Sequence, residues 1–293
     1  SILSFLLIFL TGDPVAALFP LNARQEDYDN IRQQYGLDQP IPVQYVQFVI
    51  KAFQGNMGES FRYHTDALSL VLGRLPNTFL LAAVSLALSL LLSLPVGIMA
   101  ARSKGRIFDV IASFFALLAI SIPSFWLGVI LIIVFAGTLR WLPASGSGSW
   151  QQIIMPAVTI SAFSIGFLIR LIRRSVADTL QQQYVVTARS KGLAERVIAW
   201  RHVLRNSAIP IVTVLGLQFG ALLGGSVVVE TVFAWPGVGW LMIQSIEARD
   251  LPVIRAAVLI LAIFIVLINL AVDIIYSWLD PRIKLQPGKG AGA

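Results

Sequence analysis

The chain has 293 residues, 57% of them hydrophobic and 13% charged, with a formal net charge of +7 and no cysteine. Soluble domains carry about 25% charged residues, so this chain has too little polar side chain to solvate a globule of its size and belongs in a membrane. The missing cysteine excludes a disulfide frame or a thiol site. The positive charge does not indicate nucleic acid either, because it is sorted between loops rather than gathered on one soluble face.

In chain order, the opening SILSFLLIFL has ten residues before TGDP breaks it. About 20 are needed to cross the hydrocarbon core. Because the chain starts at Ser1 without a methionine, residues 1–12 are expected to be the end of a first transmembrane helix, N-terminally truncated here. A long outer loop over 13–76 follows. It holds amphipathic stretches, QEDYDNIRQQYG and VQYVQFVIKAF, punctuated by GLDQPIP and GNMGES, which predict short helices joined by turns. A loop of this length either contacts a partner or caps the mouth of the bundle.

Five further apolar stretches are long enough to span: about 77–101, 108–137, 153–172, 208–232 and 254–278. Pro95, Pro123 and Gly224–Gly225 fall inside them. The backbone groups they free must find partners within a helix bundle. Gly216, Gly220 and Gly224 recur every four residues and let another helix approach closely. With the first helix, this predicts an all-α membrane protein of six transmembrane helices.

Six spans put the loops after the second, fourth and sixth on one side. They carry Arg102, Lys104, Arg106, Arg170, Arg173, Arg174, Arg189, Lys191, Arg196, Arg201, Arg205, Arg282, Lys284 and Lys289. The opposite loops are longer and more thinly basic, so the first group is expected in the cytoplasm, with both termini. Residues 173–207 then form a cytoplasmic loop. Its basic residues serve as topology anchors, but that role does not explain Gly192 between two amphipathic runs. Glycine adopts backbone angles other residues avoid, so Gly192 can end one short helix and redirect the chain. In the next run Val197, Trp200, Val203 and Leu204 make one stripe, suited to a partner protein or to lipid headgroups.

Glu230 ends an apolar run before FAWPGVG. It reads as an interfacial carboxylate in water, with Phe233 and Trp235 as aromatic-belt anchors. The alternative is a residue at the mouth of a path. Asp273, near the inner end of the last span and four residues after Asn269, reads as a solvated or Arg-paired structural acid. His64 and His202 fall on opposite sides of the membrane and cannot share a metal.

The stretch YVVTARSKGL…RHVLRNSAIP at 184–210 resembles the cytoplasmic loop of ABC importer permeases of the dipeptide, oligopeptide, glutathione and nickel systems. The general permease pattern has Glu-Ala-Ala where this chain has Val186-Thr187-Ala188, followed in both by Gly (Gly192) and later Ile-Pro (Ile209-Pro210). GDP at 12–14, YGLDQPIPVQY at 35–45, GNMGES at 55–60, RLPNT at 74–78, WLPASG at 141–146, ETVFAWPGVG at 230–239, RDLPVI at 249–254 and LDPRI at 279–283 resemble the same family, in order.

The resemblance implies a type I ABC importer permease in the bacterial inner membrane. Its implied partners are a second homologous permease subunit, two ATP-binding subunits, and a periplasmic or extracellular substrate-binding protein. It further implies that Ala188, Arg189, Ser190, Lys191, Gly192, Leu193, Arg201, Arg205 and Pro210 couple to the ATPase. Glu230, Phe233, Pro236, Gly237 and Gly239 would form an outer gate. No cofactor is expected on this chain, ATP and magnesium belonging to the partners.

Two other classes compete. A stand-alone secondary transporter would place ionisable groups at mid-membrane, whereas these spans are almost bare of them until their ends. An enzyme would need a phosphate loop ending in Lys-Ser/Thr, a His-Glu-x-x-His pair or paired acids, none of which stands out. Short peptides or glutathione are the expected substrates, with a nickel-type importer as the alternative.

Overall fold

A computed structural model describes residues 38–194, 197–198 and 205–279. The first span expected at 1–12 and most of QEDYDNIRQQYG lie outside these residues. Among the described residues the chain is helical, apart from a single bridge pairing Glu59 with Asp66.

The outer segment forms α1 (Ile41–Phe53), starting at Pro40-Ile41-Pro42, where a missing proline N–H costs nothing. It ends at Gly55, whose φ of +77° lets the amides of Gly55 and Asn56 turn back onto the carbonyls of Ala52 and Lys51. This matches the helix expected over 43–53.

The next helix, α2 (Ala67–Arg102), begins ten residues before the expected span. Asp66 caps it, accepting the Ser69 amide at 2.8 Å. Its 36 residues make it about 54 Å long, well beyond the hydrocarbon core. The stretch 67–76 is therefore helix and not loop. Ser85, Ser89, Ser93, Gly97 and Ala101 repeat every four residues along one buried face. Ser85 and Ser89 satisfy their hydroxyls on the carbonyls four residues back. A Cβ at Gly97 would come within 2.8 Å of Ile172 Cβ, so this face lets α5 approach closely.

The span expected over 108–137 is not one straight helix. It divides into α3 (Ile107–Ser121) and α4 (Ser124–Leu131), the latter continuing as a π-helical turn, Ile132–Thr138. The two arms are bent by 100°. Pro123 has no N–H to continue the ladder, and it drives Ile122 to an extended ψ of 124°.

Helix α5 (Ile154–Leu180) is entered through a 3₁₀ turn at Trp150–Ile153, with a reciprocal cap between Ser149 and Gln152. It runs eight residues past the expected span, so Arg173 and Arg174 lie on the spanning helix itself, and the inner loop is shorter than 173–207. A short α6 (Gln183–Ser190) follows, then α7 (Arg205–Val232), α8 (Val238–Glu247) and α9 (Leu251–Leu279).

Four of these helices are long and apolar enough to cross a membrane, or five if the bent pair α3–α4 is one span. Helices α2 and α5 run parallel: Leu81 shares a cluster with Met155 and Ile160, and Ala101 shares another with Ile172 and Val176. Helices α7 and α9 run antiparallel. Gly216 packs on Val272, and a Cβ at Gly220 would sit 3.0 Å from Asn269 Oδ1. Gly224 faces open space. The glycine stripe therefore serves packing within the bundle at two of its three positions.

Candidate functional site

At one end of the bundle, helix α7 finishes in the sequence Glu230-Thr231-Val232-Phe233-Ala234-Trp235-Pro236-Gly237. The Trp235 amide returns to the Glu230 carbonyl at 2.8 Å, and Ala234 adopts φ +45°, which closes the helix without a glycine. Such an angle is uncommon for a residue with a Cβ. It is held because the flanking rings are sunk in the core, Phe233 at 1% exposure and Trp235 at 2%.

The side chain of Glu230 is completely buried. Its Oε1 accepts hydrogen bonds from Thr78 Oγ1 at 2.9 Å and Ser226 Oγ at 3.0 Å. Its Oε2 accepts the backbone N–H of Trp240 at 3.1 Å. Helices α2, α7 and α8 thus meet on one carboxylate. A Cβ at Gly237 would meet that carboxylate, and one at Gly239 would come within 2.6 Å of Val227 Cα. Both glycines are needed for lack of room, since neither has a positive φ.

Further bonds tie the turn to α2. Trp235 Nε1 donates to the Asn77 carbonyl at 3.0 Å, and Asn77 Nδ2 donates to the Pro236 carbonyl at 3.0 Å. The Val238 amide donates to Thr78 Oγ1 at 2.9 Å. Glu230, Phe233, Pro236, Gly237 and Gly239 are therefore assembled in one place. The solvated interfacial carboxylate expected for Glu230 is replaced by a buried one, because three donors from three helices converge there. Phe233 and Trp235 pack inside the protein and are not belt anchors.

A second buried carboxylate lies beyond the far end of α8. Asp250, between α8 and α9, is also fully buried. Its Oδ2 accepts Ser60 Oγ at 2.5 Å and the Arg62 amide at 3.3 Å, and its Oδ1 accepts the Phe61 amide at 3.1 Å. Tyr63 Oη donates to Gln244 Oε1 at 3.3 Å. The outer segment 60–63 is pinned to the α8–α9 junction. Neither Asp250 nor Ser60, Asn77, Thr78 and Ser226 was singled out by the sequence. Ser60, Asn77, Thr78 and Asp250 do lie in family-like fragments, GNMGES, RLPNT and RDLPVI.

The opposite end carries the basic loop. Lys191 and Gly192 close α6, with Gly192 at φ +76°. The Gly192 amide donates to the Arg189 carbonyl at 2.9 Å, and the Leu193 amide donates to that of Ala188 at 3.3 Å. This is the left-handed C-terminal cap expected of the glycine. Around it Arg189, Ser190, Lys191 and Leu193 are exposed.

Ala188 points the other way. It is 4% exposed and packs with Val185, Ile198, Ile172 and Val176, so it anchors the loop to its own bundle. Val197 is exposed, while Trp200, Val203, Leu204 and Arg201 lie outside the described residues. Arg205 begins α7, and Pro210 lies exposed inside that helix. At the same end, Arg173 grips both oxygens of the buried Asp109 through Nε and Nη2, and the Gly105 amide donates to Asp109 Oδ2 at 2.9 Å.

A helical bundle of membrane-spanning length, with a gathered turn at one end and a cationic helical loop at the other, fits a transport permease. Residues 93–285 match the family described as binding-protein-dependent transport system inner membrane component, and residues 1–82 match its N-terminal membrane component. The glutathione transport system permease protein GsiC of Escherichia coli strain K12 is 40% identical over 287 residues, covering 98% of this chain and 94% of that protein. Its counterpart in Salmonella choleraesuis strain SC-B67 is 39% identical over the same coverage.

Among solved structures, a chain of the inward-facing MetNI methionine ABC transporter superposes with a TM-score of 0.61. It is 19% identical and covers 72% of this chain and 96% of its own. An amino acid ABC transporter with histidines gives 0.54 at 16% identity, over 73% of this chain and 94% of that one. These two share the fold. The chain belongs to the binding-protein-dependent transport system inner membrane component family. It is a multi-pass permease subunit of an ABC importer, of the peptide and glutathione type.

Proposed function

We propose that this permease forms half of a translocation path for glutathione or short peptides. The single observation that carries the substrate class is 40% identity, across 98% of the chain, to permeases of glutathione transport. The partners in this reading are a second homologous permease, two ATP-binding subunits that hold ATP and magnesium, and an external substrate-binding protein. Both termini lie in the cytoplasm in this reading, which the sorting of basic residues supports.

The two ends then have distinct tasks. The turn at Glu230, Phe233, Pro236, Gly237 and Gly239 is the outer gate, a reading supported by its fastening of α2, α7 and α8 at one end of the bundle. The loop from Ala188 to Pro210 docks on the ATPase. Its contact face is Val186, Ser190, Lys191 and Leu193, and Arg201 and Arg205 belong to the same coupling set. Ala188 supports that face from beneath.

The test is reconstitution in liposomes of both permeases with the ATPases, internal ATP–Mg and the loaded binding protein. Uptake of labelled glutathione or a dipeptide, with none from liposomes holding the permease alone, is expected. Uptake of a nickel chelate in place of both would favour the nickel-type importer. Transport by the permease alone would overturn the reading in favour of a secondary carrier.

A further inference from the structure

An open pocket of about 700 Å³ lies at the inner end of the bundle, between the end of α2, helix α3 and the last turns of α5. Its polar rim is formed by Lys104, Arg170, Arg173 and Arg174, and the acid in the lining is Asp178. Arg173 is committed to Asp109. Arg174 stands 3.9 Å from Asp178, with both side chains largely exposed, a pairing that contributes little. The side chains of Lys104 and Arg170 make no hydrogen bond or ion pair with the other described residues. Among the described residues, the rim therefore keeps an unneutralised positive charge.

The wall beneath the rim is apolar: Leu117, Phe167 and Leu171. It continues outward onto α3, where Phe114, Phe115, Leu117 and Leu118 are 57%, 62%, 51% and 39% exposed. On a membrane-spanning helix such a face meets acyl chains.

Depth agrees with chemistry. Trp150, 74% exposed, opens the helical run that ends in α5. Arg170 follows twenty residues later, about 30 Å along the axis, one hydrocarbon thickness away. Tryptophan marks one interface, and the arginines reach the headgroup level of the other.

We propose that this pocket binds an anionic phospholipid of the inner leaflet, its phosphate held by Lys104, Arg170 and Arg174 and its chains lying along α3. Basic pockets between spans on the cytoplasmic side bind acidic headgroups in this manner. The alternative occupant, an acidic segment of the ATPase, would not account for the continuous apolar wall.

The assignment of this end to the cytoplasm rests on the topology proposed above, but lipid retention does not depend on sidedness. A cysteine at Ser103 labelled only from outside would overturn the topology and leave the lipid result standing.

The experiment is native mass spectrometry of the assembled transporter, delipidated and then titrated with phosphatidylglycerol, with phosphatidylcholine of the same chains, or with inorganic phosphate. Selective retention of phosphatidylglycerol is expected. The double variant Lys104→Gln/Arg170→Gln should weaken it roughly thirty-fold, given two lost cations near an anionic surface. Lys104→Arg/Arg170→Lys should restore it, and Arg102→Gln/Arg106→Gln, outside the pocket, should leave it unchanged. An unaltered thermal midpoint for the first variant shows that it folds. Equal retention of both lipids, equal loss in the Arg102/Arg106 control, or displacement of the lipid by phosphate alone would each overturn the proposal. So would a cross-link from residue 170 to the ATPase that blocks lipid binding.

Discussion

The two ends of the bundle are fastened by different chemistry. At the outer end, Glu230 and Asp250 are fully buried and act as acceptors for hydroxyls and backbone amides from distant parts of the chain. At the other end, one partly buried pair, Asp109–Arg173, holds the α2–α3 connection to α5. Beyond it, Arg189, Ser190, Lys191 and Leu193 are exposed around Gly192, where the backbone alone shapes the turn. Buried acceptors fix position, because each lost partner leaves an unsatisfied polar group in the core. Exposed cations leave position to whatever binds them. The Glu230 end is thus built as a joint with set geometry, and the Gly192 end presents an exposed cationic surface.

The largest expected effect breaks the outer joint. Glu230→Ala removes the acceptor for Thr78, Ser226 and the Trp240 amide together, at a cost of about 3 kcal/mol in stability. Uptake should be lost, and the thermal midpoint of the complex should fall by several degrees. Glu230→Gln is expected to be far milder. Its amide oxygen can take the place of Oε2 at the Trp240 N–H, while its NH₂ faces two hydroxyls that can turn to accept. A Gln variant as damaged as the Ala variant would mean that charge, not hydrogen bonding, holds the joint.

Asp250 sharpens the same point. Both of its oxygens face backbone N–H donors, Phe61 on Oδ1 and Arg62 on Oδ2. An asparagine must turn its NH₂ toward one of them, so Asp250→Asn should cost about 2 kcal/mol, where Glu230→Gln costs under about 1. The readouts are faster proteolysis of residues 54–65 and weaker stimulation of the ATPases by the loaded binding protein, with basal hydrolysis retained. Unchanged proteolysis and stimulation would show that the outer segment does not depend on Asp250.

This contrast also explains what the sequence disclosed. Apolar length pointed to the long helices among the described residues, and the end of α1 at Gly55 and of α6 at Gly192 followed from glycine alone, since both are local effects. The break at Pro123 was visible as a proline but not as a 100° bend, because the angle depends on what the two arms pack against. Glu230 was misjudged because its three donors come from residues 78, 226 and 240, and no local window brings Thr78 to it. The burial of Ala188 was hidden for the same reason. A small residue fits a docking face as well as a packed one, and only the neighbours Val185, Ile172 and Val176 show that it is packed.

At the inner end the effects shift from stability to docking. Gly192→Val places a β-branched residue at φ +76°, although a Cβ there would touch nothing. The cost is conformational, about 1–2 kcal/mol. It should appear as a misdirected α6 exit: normal membrane insertion, an unchanged thermal midpoint for the bundle, and loss of ATPase co-purification or of uptake. Full retention of both would show that the cap does not set the docking geometry.

The smallest effect expected is that of a single inner cation. Lys191 is exposed and sits at the cap beside Gly192. One exposed charge contributes under about 1 kcal/mol, and less at high salt. Lys191→Gln should therefore co-purify with the ATPases nearly as well as the parent at physiological salt, with uptake reduced less than fivefold. Raising the salt should narrow that difference further, because the effect is electrostatic. If Lys191→Gln loses the ATPases while Gly192→Val keeps them, the inner surface is recognised through charge at one position and the bend is incidental. If both keep them, docking is spread over Val186, Ser190 and Leu193, and their combined replacement by Asp becomes the variant that must fail.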